Sequence, residues 1–246
     1  MTPSSWLVDL VLRLWVRVPA PVHHNLGKAA MIKKCFWHLN VDSIKGDYLE
    51  FGVAMGHSMR SAEIAERSCH LPSLGIEHIP RKLIGFDTFS SFNSNDQIDD
   101  HPTWTGANFN IELQKIRRRF KSDIDVRIFL NEQDATELVD DLGKPTISYE
   151  STGMEGPIAL LLLDMDLYGP TLAALKWCRP RLQVGTIIML DEYFAFAGRK
   201  DRGECLALTH FLESYPEVEL RHFNFYGSGG TVFIVSSLTH QSEITA

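Results

Sequence analysis

Cysteine is scarce in this 246-residue chain, and the four present (Cys35, Cys69, Cys178 and Cys205) are scattered, with no CxxC pair and no zinc-ligand spacing. A disulfide framework and a cysteine-held metal are thereby disfavoured, and the four read as reduced thiols of a cytoplasmic protein. Excess positive charge is also missing: 24 Lys and Arg stand against 31 Asp and Glu, a formal net charge of −7. Binding nucleic acid through phosphates wants a basic face, so no nucleic-acid partner is expected. The one basic run, Lys115-Ile116-Arg117-Arg118-Arg119-Phe120-Lys121, has the period of a solvated helix face. Internal repeats, low-complexity tracts and a recognisable signal peptide are lacking too.

A membrane span is the next absence. The apolar segment Trp6-Leu7-Val8-Asp9-Leu10-Val11-Leu12-Arg13-Leu14-Trp15-Val16-Arg17-Val18 ends near Pro19 and Pro21, too short to cross a bilayer. Asp9, Arg13 and Arg17 recur every four residues, which on a helix makes one narrow polar stripe. A helix apolar on most of its circumference needs a cover. Its own domain or a second copy in a homodimer is the expected one, ahead of a membrane surface.

What the chain does have is an alternation of strand and helix patterns. Residues 26–39 have helical period, residues 47–53 read as a first strand, and a glycine-bearing turn opens a helix over about 58–67. Strands follow at 82–87 and 125–130, with helices at 110–120 and 135–142, and polar loops at 90–108 and 143–156. Two strongly apolar strands come next, separated by a helix over about 171–178, and a further helix spans 202–215. Extended runs at 218–225 and 231–236 flank Gly227-Ser228-Gly229-Gly230, a hairpin turn signal. The fold expected is α/β, a doubly wound and mostly parallel seven-stranded sheet closed by a C-terminal antiparallel hairpin. Residues 1–45 would be a helical appendage, 46–238 the main domain and 239–246 a tail.

The chemistry gathers where strands end. Leu160-Leu161-Leu162-Leu163-Asp164-Met165-Asp166-Leu167-Tyr168 and Ile187-Ile188-Met189-Leu190-Asp191-Glu192-Tyr193 are apolar runs that stop in carboxylates. Open α/β sheets bind their ligands at that carboxyl edge. Four acids gathered there repel one another unless a cation, a proton or a donor-rich ligand sits between them, which points to an enzyme. Glu50-Phe51-Gly52-Val53-Ala54-Met55-Gly56-His57-Ser58 lies where the first strand gives way to a helix, a place for an anionic group. Asp87 closes the second strand, where it can accept both hydroxyls of a ribose or cap the following turn. Asp134, just past the third, can reach an exocyclic amine of a base or cap a helix. Together they form a nucleoside-binding layout.

Four blocks, Gly46-Asp47-Tyr48-Leu49-Glu50-Phe51-Gly52-Val53, Gly85-Phe86-Asp87-Thr88-Phe89, Asp164-Met165-Asp166-Leu167-Tyr168 and Asp191-Glu192-Tyr193, resemble the signatures of the macrocin O-methyltransferase family. The resemblance implies a Rossmann-like class I fold and S-adenosylmethionine as cofactor. Glu50, Gly52, Gly56 and Ser58 would lie by its methionine part, Asp87 on the ribose and Asp134 near adenine. It further implies magnesium held by Asp164, Asp191 and Glu192, although Glu192 stands where the family usually has aspartate. The metal would grip a sugar or glycoside acceptor through two hydroxyls, with Asp164 serving catalysis through it and His101 as the base. A second reading is a non-catalytic S-adenosylmethionine-binding module working through its apolar N-terminal helix.

Overall fold

Apolar runs fix the centre of the sheet. All six residues of β4 (Ile158–Leu163) and all four of β5 (Ile187–Leu190) are buried, as are all five of β1 (Asp47–Phe51), the pattern of parallel strands covered on both faces. A computed structural model describes residues 3–89, 101, 113–120 and 128–239. Its sheet has seven strands in the order β3-β2-β1-β4-β5-β7-β6, completed by β2 (Leu83–Asp87), β3 (Ile128–Glu132), β6 (Val218–Tyr226) and β7 (Gly230–Leu238). The first five are parallel, and β7 enters antiparallel between β5 and β6. Strand order reverses between β1 and β4, which places the ligand crevice of such a sheet at their carboxyl ends. The doubly wound sheet and terminal hairpin are as expected. It is β7 that lies inside, because Val232 and Val235 are fully buried whereas β6 alternates with solvent.

Seven helices are described: α1 (Pro3–Trp15), α2 (Ala20–Val41), α3 (His57–Ser68), α4 (Leu113–Arg119), α5 (Tyr168–Cys178), the four-residue α6 (Ala195–Gly198) and α7 (Gly203–Ser214). Helix α2 buries Lys28, Met31, Ile32, Cys35, Phe36, Leu39 and Asn40, a stripe of helical period that packs with Tyr48, Leu160, Leu162 and Met189 on one face of the sheet. On the other face Phe51 and Phe86 stack at 4.5 Å and meet Trp177 of α5.

Helix α1 does otherwise. Trp6, Leu7, Val8, Val11, Leu12, Leu14 and Trp15 are each at least half exposed, so the described residues of its own domain do not provide the expected cover. Among the described residues no helix is long and apolar enough to cross a membrane.

The helix expected over 135–142 is a single 3-10 turn, Ala135–Glu137. Asp140 accepts the N–H groups of Leu142 and Lys144, and the Leu138 carbonyl accepts from Thr146, so local side-chain bonds displace the helical ladder. The described part of strand β3 is Ile128–Glu132, and the first residues of the strand expected over 125–130, with the rest of 121–127 and most of the 90–108 loop, lie outside the described residues.

Candidate functional site

At the end of β1 the chain must pass beneath β4. Gly52 has φ +91°, and a Cβ there would lie 1.9 Å from the Asp164 carbonyl oxygen, so only glycine fits this crossing. Gly56, at φ +74°, caps α3 in the left-handed region. Two anchors hold the turn between them. From behind, Ser58 and Tyr48 donate to Glu50 at 2.5 Å each, and Glu50 itself is wholly buried. Burial pushes the Glu50 pKa up to about 7 against these two donors. From the neighbouring strand, Asp87 accepts from the Ala54 N–H at 2.7 Å and the Phe89 N–H at 2.6 Å. The basic run joins as well: Arg119 donates to the Met55 carbonyl at 2.5 Å, and Ile116 is buried.

Asp134 caps the 3-10 turn, taking both the Thr136 N–H (2.9 Å) and its hydroxyl (2.7 Å) on Oδ1. His101 lies half-buried with its ring 5.0 Å from that of Phe196. Phe196 belongs to α6, where Phe196, Ala197 and Gly198 all take left-handed angles just after Glu192. For the non-glycine residues Phe196 and Ala197 such backbone costs of order 1–3 kcal/mol each, and it concentrates at working sites.

The acid-tipped strands meet a group that belongs to neither. Lys28 of α2 places its Nζ 2.6 Å from Asp164 Oδ2 and 2.6 Å from Asp191 Oδ2. One helical turn earlier, His24 Nε2 lies 2.9 Å from the same Asp191 oxygen. The Ser228 N–H donates to His24 Nδ1 at 3.0 Å, so the ring proton lies on Nε2 and points at Asp191. Asp191 draws the imidazole pKa upward, yet the atom that would take the second proton is already engaged, and the neutral tautomer is the one this geometry holds. Gly27 brings α2 this close to the hairpin turn, for a Cβ on it would sit 2.8 Å from the Gly227 nitrogen.

Charge is divided unevenly around Lys28. Burial alone would raise Asp191, but the His24 and Lys28 donors outweigh it and hold the pKa at about 2. Asp164 is pushed up by burial and by the Asp191 charge, although 22% of its side chain stays open to temper the rise. Asp166, at φ +64°, is lifted to about 7 by burial and then by Glu192. Glu204 of α7 accepts the Glu192 N–H at 3.0 Å, is itself buried, and is held well above the usual carboxylate range. The edge is thus neutralised by one internal ammonium and by retained protons.

That arrangement bears directly on magnesium. Among the described residues the group able to converge on one ion is His24, Asp191 and Glu192, not the expected Asp164, Asp191 and Glu192. Magnesium needs oxygen ligands at about 2.0–2.1 Å in a near-octahedral shell. Here Oδ2 of both Asp164 and Asp191 already faces the Lys28 ammonium, while Asp191 Oδ1 is buried without a partner among the described residues, so the residues as arranged do not fit an ion that bridges the two aspartates unless Lys28 is displaced. His24 and Lys28 went unread in the sequence; the signal was there, as polar residues on the buried stripe of α2.

Comparison with known proteins gives the family and the fold. The family described as macrocin-O-methyltransferase (TylF) matches residues 17–204. Among solved structures, CalS11, described as a calicheamicin methyltransferase, is 22% identical with a TM-score of 0.62 over 95% of this chain and 86% of that one. An apo form of CalS11, described as a TDP-rhamnose 3'-O-methyltransferase, gives 23% and 0.52 over 95% and 87%. The O-methyltransferase NovP gives 19% and 0.59 over 85% and 80%. At these identities the likeness is one of fold. No curated protein matches the chain.

Proposed function

The chain belongs to the macrocin O-methyltransferase family, and we propose that it transfers a methyl group from S-adenosylmethionine to a hydroxyl of a sugar or glycosylated natural product. The observation that carries this reading is the turn after β1, where Gly52 lies against the Asp164 carbonyl while Asp87 grips the turn from the next strand. S-adenosylmethionine, when bound, supplies a methyl group activated on a sulfonium. Gly52 and Gly56 keep the turn low enough for a ligand to lie on the main chain. Asp87 has accepting capacity left for ribose hydroxyls, since Oδ2 takes the Ala54 N–H, Oδ1 takes the Phe89 N–H, and each oxygen has a second lone pair. Asp134 spends Oδ1 on its cap, which leaves Oδ2 for the adenine amine. Glu50 and Ser58 act from behind, by fixing the turn.

On the acceptor side, His101 is the proton-accepting group and the partly open Asp164 the orienting one. Four free and buried thiols suit a reducing cytoplasm. The apolar residues of α1 are the contact surface for a second copy of the chain: Asp9, Arg13 and Arg17 carry both signs, which pair when such a stripe meets itself antiparallel. That exposed helix also favours a second reading, a cofactor-binding module without turnover.

Isothermal titration with S-adenosylmethionine, followed by assay of S-adenosylhomocysteine release with sugar nucleotide and glycoside acceptors, tests the proposal. Micromolar binding weakened at least tenfold by Asp87→Ala, together with turnover, is the expected result. No binding sinks both readings, and binding without turnover on any acceptor leaves the module.

A further inference from the structure

We propose that the Lys28 ammonium is the permanent cation of this carboxyl edge, so that methyl transfer here proceeds without a divalent metal. The inference rests on the methyl-transfer reading for its chemistry, but its binding test does not. Three observations carry it. The Nζ lies 2.6 Å from Oδ2 of both Asp164 and Asp191, a bridging position that a metal would have to take from it. The side chain is 7% exposed, so the ammonium is not a surface charge that happens to lean inward. It also cannot easily leave, because Lys28 shares its helical stripe with Met31, Ile32, Cys35, Phe36 and Leu39, all buried against the sheet. His24, one turn away on the same face, is pinned between Asp191 and the Ser228 N–H, which holds this end of α2 in place.

The consequence for the chemistry is definite. An ammonium has three N–H donors, and two are used on the aspartates, which leaves one for an acceptor oxygen. A single positive charge polarises a hydroxyl less than a divalent ion does, so more of the deprotonation falls to the base. Lys28 is not that base, since an amine wedged between two carboxylates keeps its proton. It positions and neutralises.

The test is a Mn2+ titration of the full chain, read by the electron paramagnetic resonance of free Mn2+ and by thermal melting in magnesium chloride. The wild type is expected to show no one-to-one site up to millimolar Mn2+ and no magnesium-dependent rise in Tm. Lys28→Ala, which vacates the bridge, is expected to gain one site and a magnesium-dependent Tm. Chelation is expected to leave wild-type turnover unchanged but to abolish what turnover Lys28→Ala recovers with magnesium. One Mn2+ bound per wild-type chain overturns the proposal: lost in His24→Ala, it puts the ion on His24, Asp191 and Glu192; kept there, it shows that Lys28 yields to metal. The wild-type titration decides even where Lys28→Ala does not fold. It also reads the cation when no acceptor is methylated, so failure here and failure of the functional reading remain distinct.

Discussion

Three glycine-to-alanine substitutions separate backbone strain from steric conflict at the turn after β1. Gly156 has open space around its missing Cβ and no left-handed angle, so Gly156→Ala is expected to stay within about 0.5 kcal/mol of wild type. Gly75 has φ +73° with nothing within 4 Å of the added methyl, so Gly75→Ala isolates the left-handed penalty of about 1–2 kcal/mol. Gly52 has φ +91° and also a contact of 1.9 Å to the Asp164 carbonyl oxygen, 1.1 Å inside the 3.0 Å floor that real Cβ contacts respect (3.0 − 1.9). That oxygen is backbone, and its residue is bonded through Asp164 N–H to the Phe51 carbonyl at 2.9 Å, so relief means parting β1 from β4. Adding a lost ladder bond and displaced packing to the strain gives about 4 kcal/mol, near the top of single-substitution effects. At about 2–4 °C per kcal/mol for a chain of this size, Tm falls by roughly 8–16 °C. Differential scanning calorimetry of the three variants measures this, with S-adenosylmethionine titration in parallel. A Gly52→Ala loss no larger than that of Gly75→Ala would refute the argument that the β1–β4 crossing demands glycine.

Glu50→Gln removes a pH dependence of stability. The folded-state pKa of Glu50 is raised to about 7 from 4.5, so the folded protein binds this proton more tightly than the unfolded chain. Its contribution is fully present below about pH 4.5, falls as pH rises to 7, and amounts to at most about 3 kcal/mol. Urea melts at pH 5 and pH 8 should show the wild type losing stability relative to Glu50→Gln at the higher pH; parallel curves would contradict the assignment. His101→Ala should lower kcat by roughly 10²–10⁴ while leaving S-adenosylmethionine affinity unchanged. Retained kcat would move the base elsewhere. Replacing the exposed Leu7, Val11 and Leu14 of α1 by serine should convert a dimer to a monomer in light scattering; a wild type already monomeric would discard the second copy as the cover for this helix.

Local pattern made much of this protein legible. An apolar run that halts in a carboxylate marks both a strand and its end, so the sequence by itself puts Asp164 and Asp191 at one sheet edge. Alternation of strand and helix gave the doubly wound sheet, and Gly227-Ser228-Gly229-Gly230 gave the hairpin. Periodicity failed where side chains compete with the helix ladder, as Asp140 does beyond the 3-10 turn. The sequence places Glu50 at the end of a strand beside a glycine turn, whereas its burial behind the turn, with both oxygens taken by hydroxyls, comes only with the packing.

The sequence alone determined that carboxylates crowd this edge and that something positive or protonated must lie among them. Tertiary structure decided what that is. Lys28 and Asp164 are 136 residues apart, and no local pattern joins them. A lysine on a helix reads as a solvated charge until the helix is seen to lay that face across the strand ends. Secondary structure follows from neighbours in the chain, whereas the pairing of charges follows from which elements cross, and here the crossing of α2 over β4 and β5 supplies the cation.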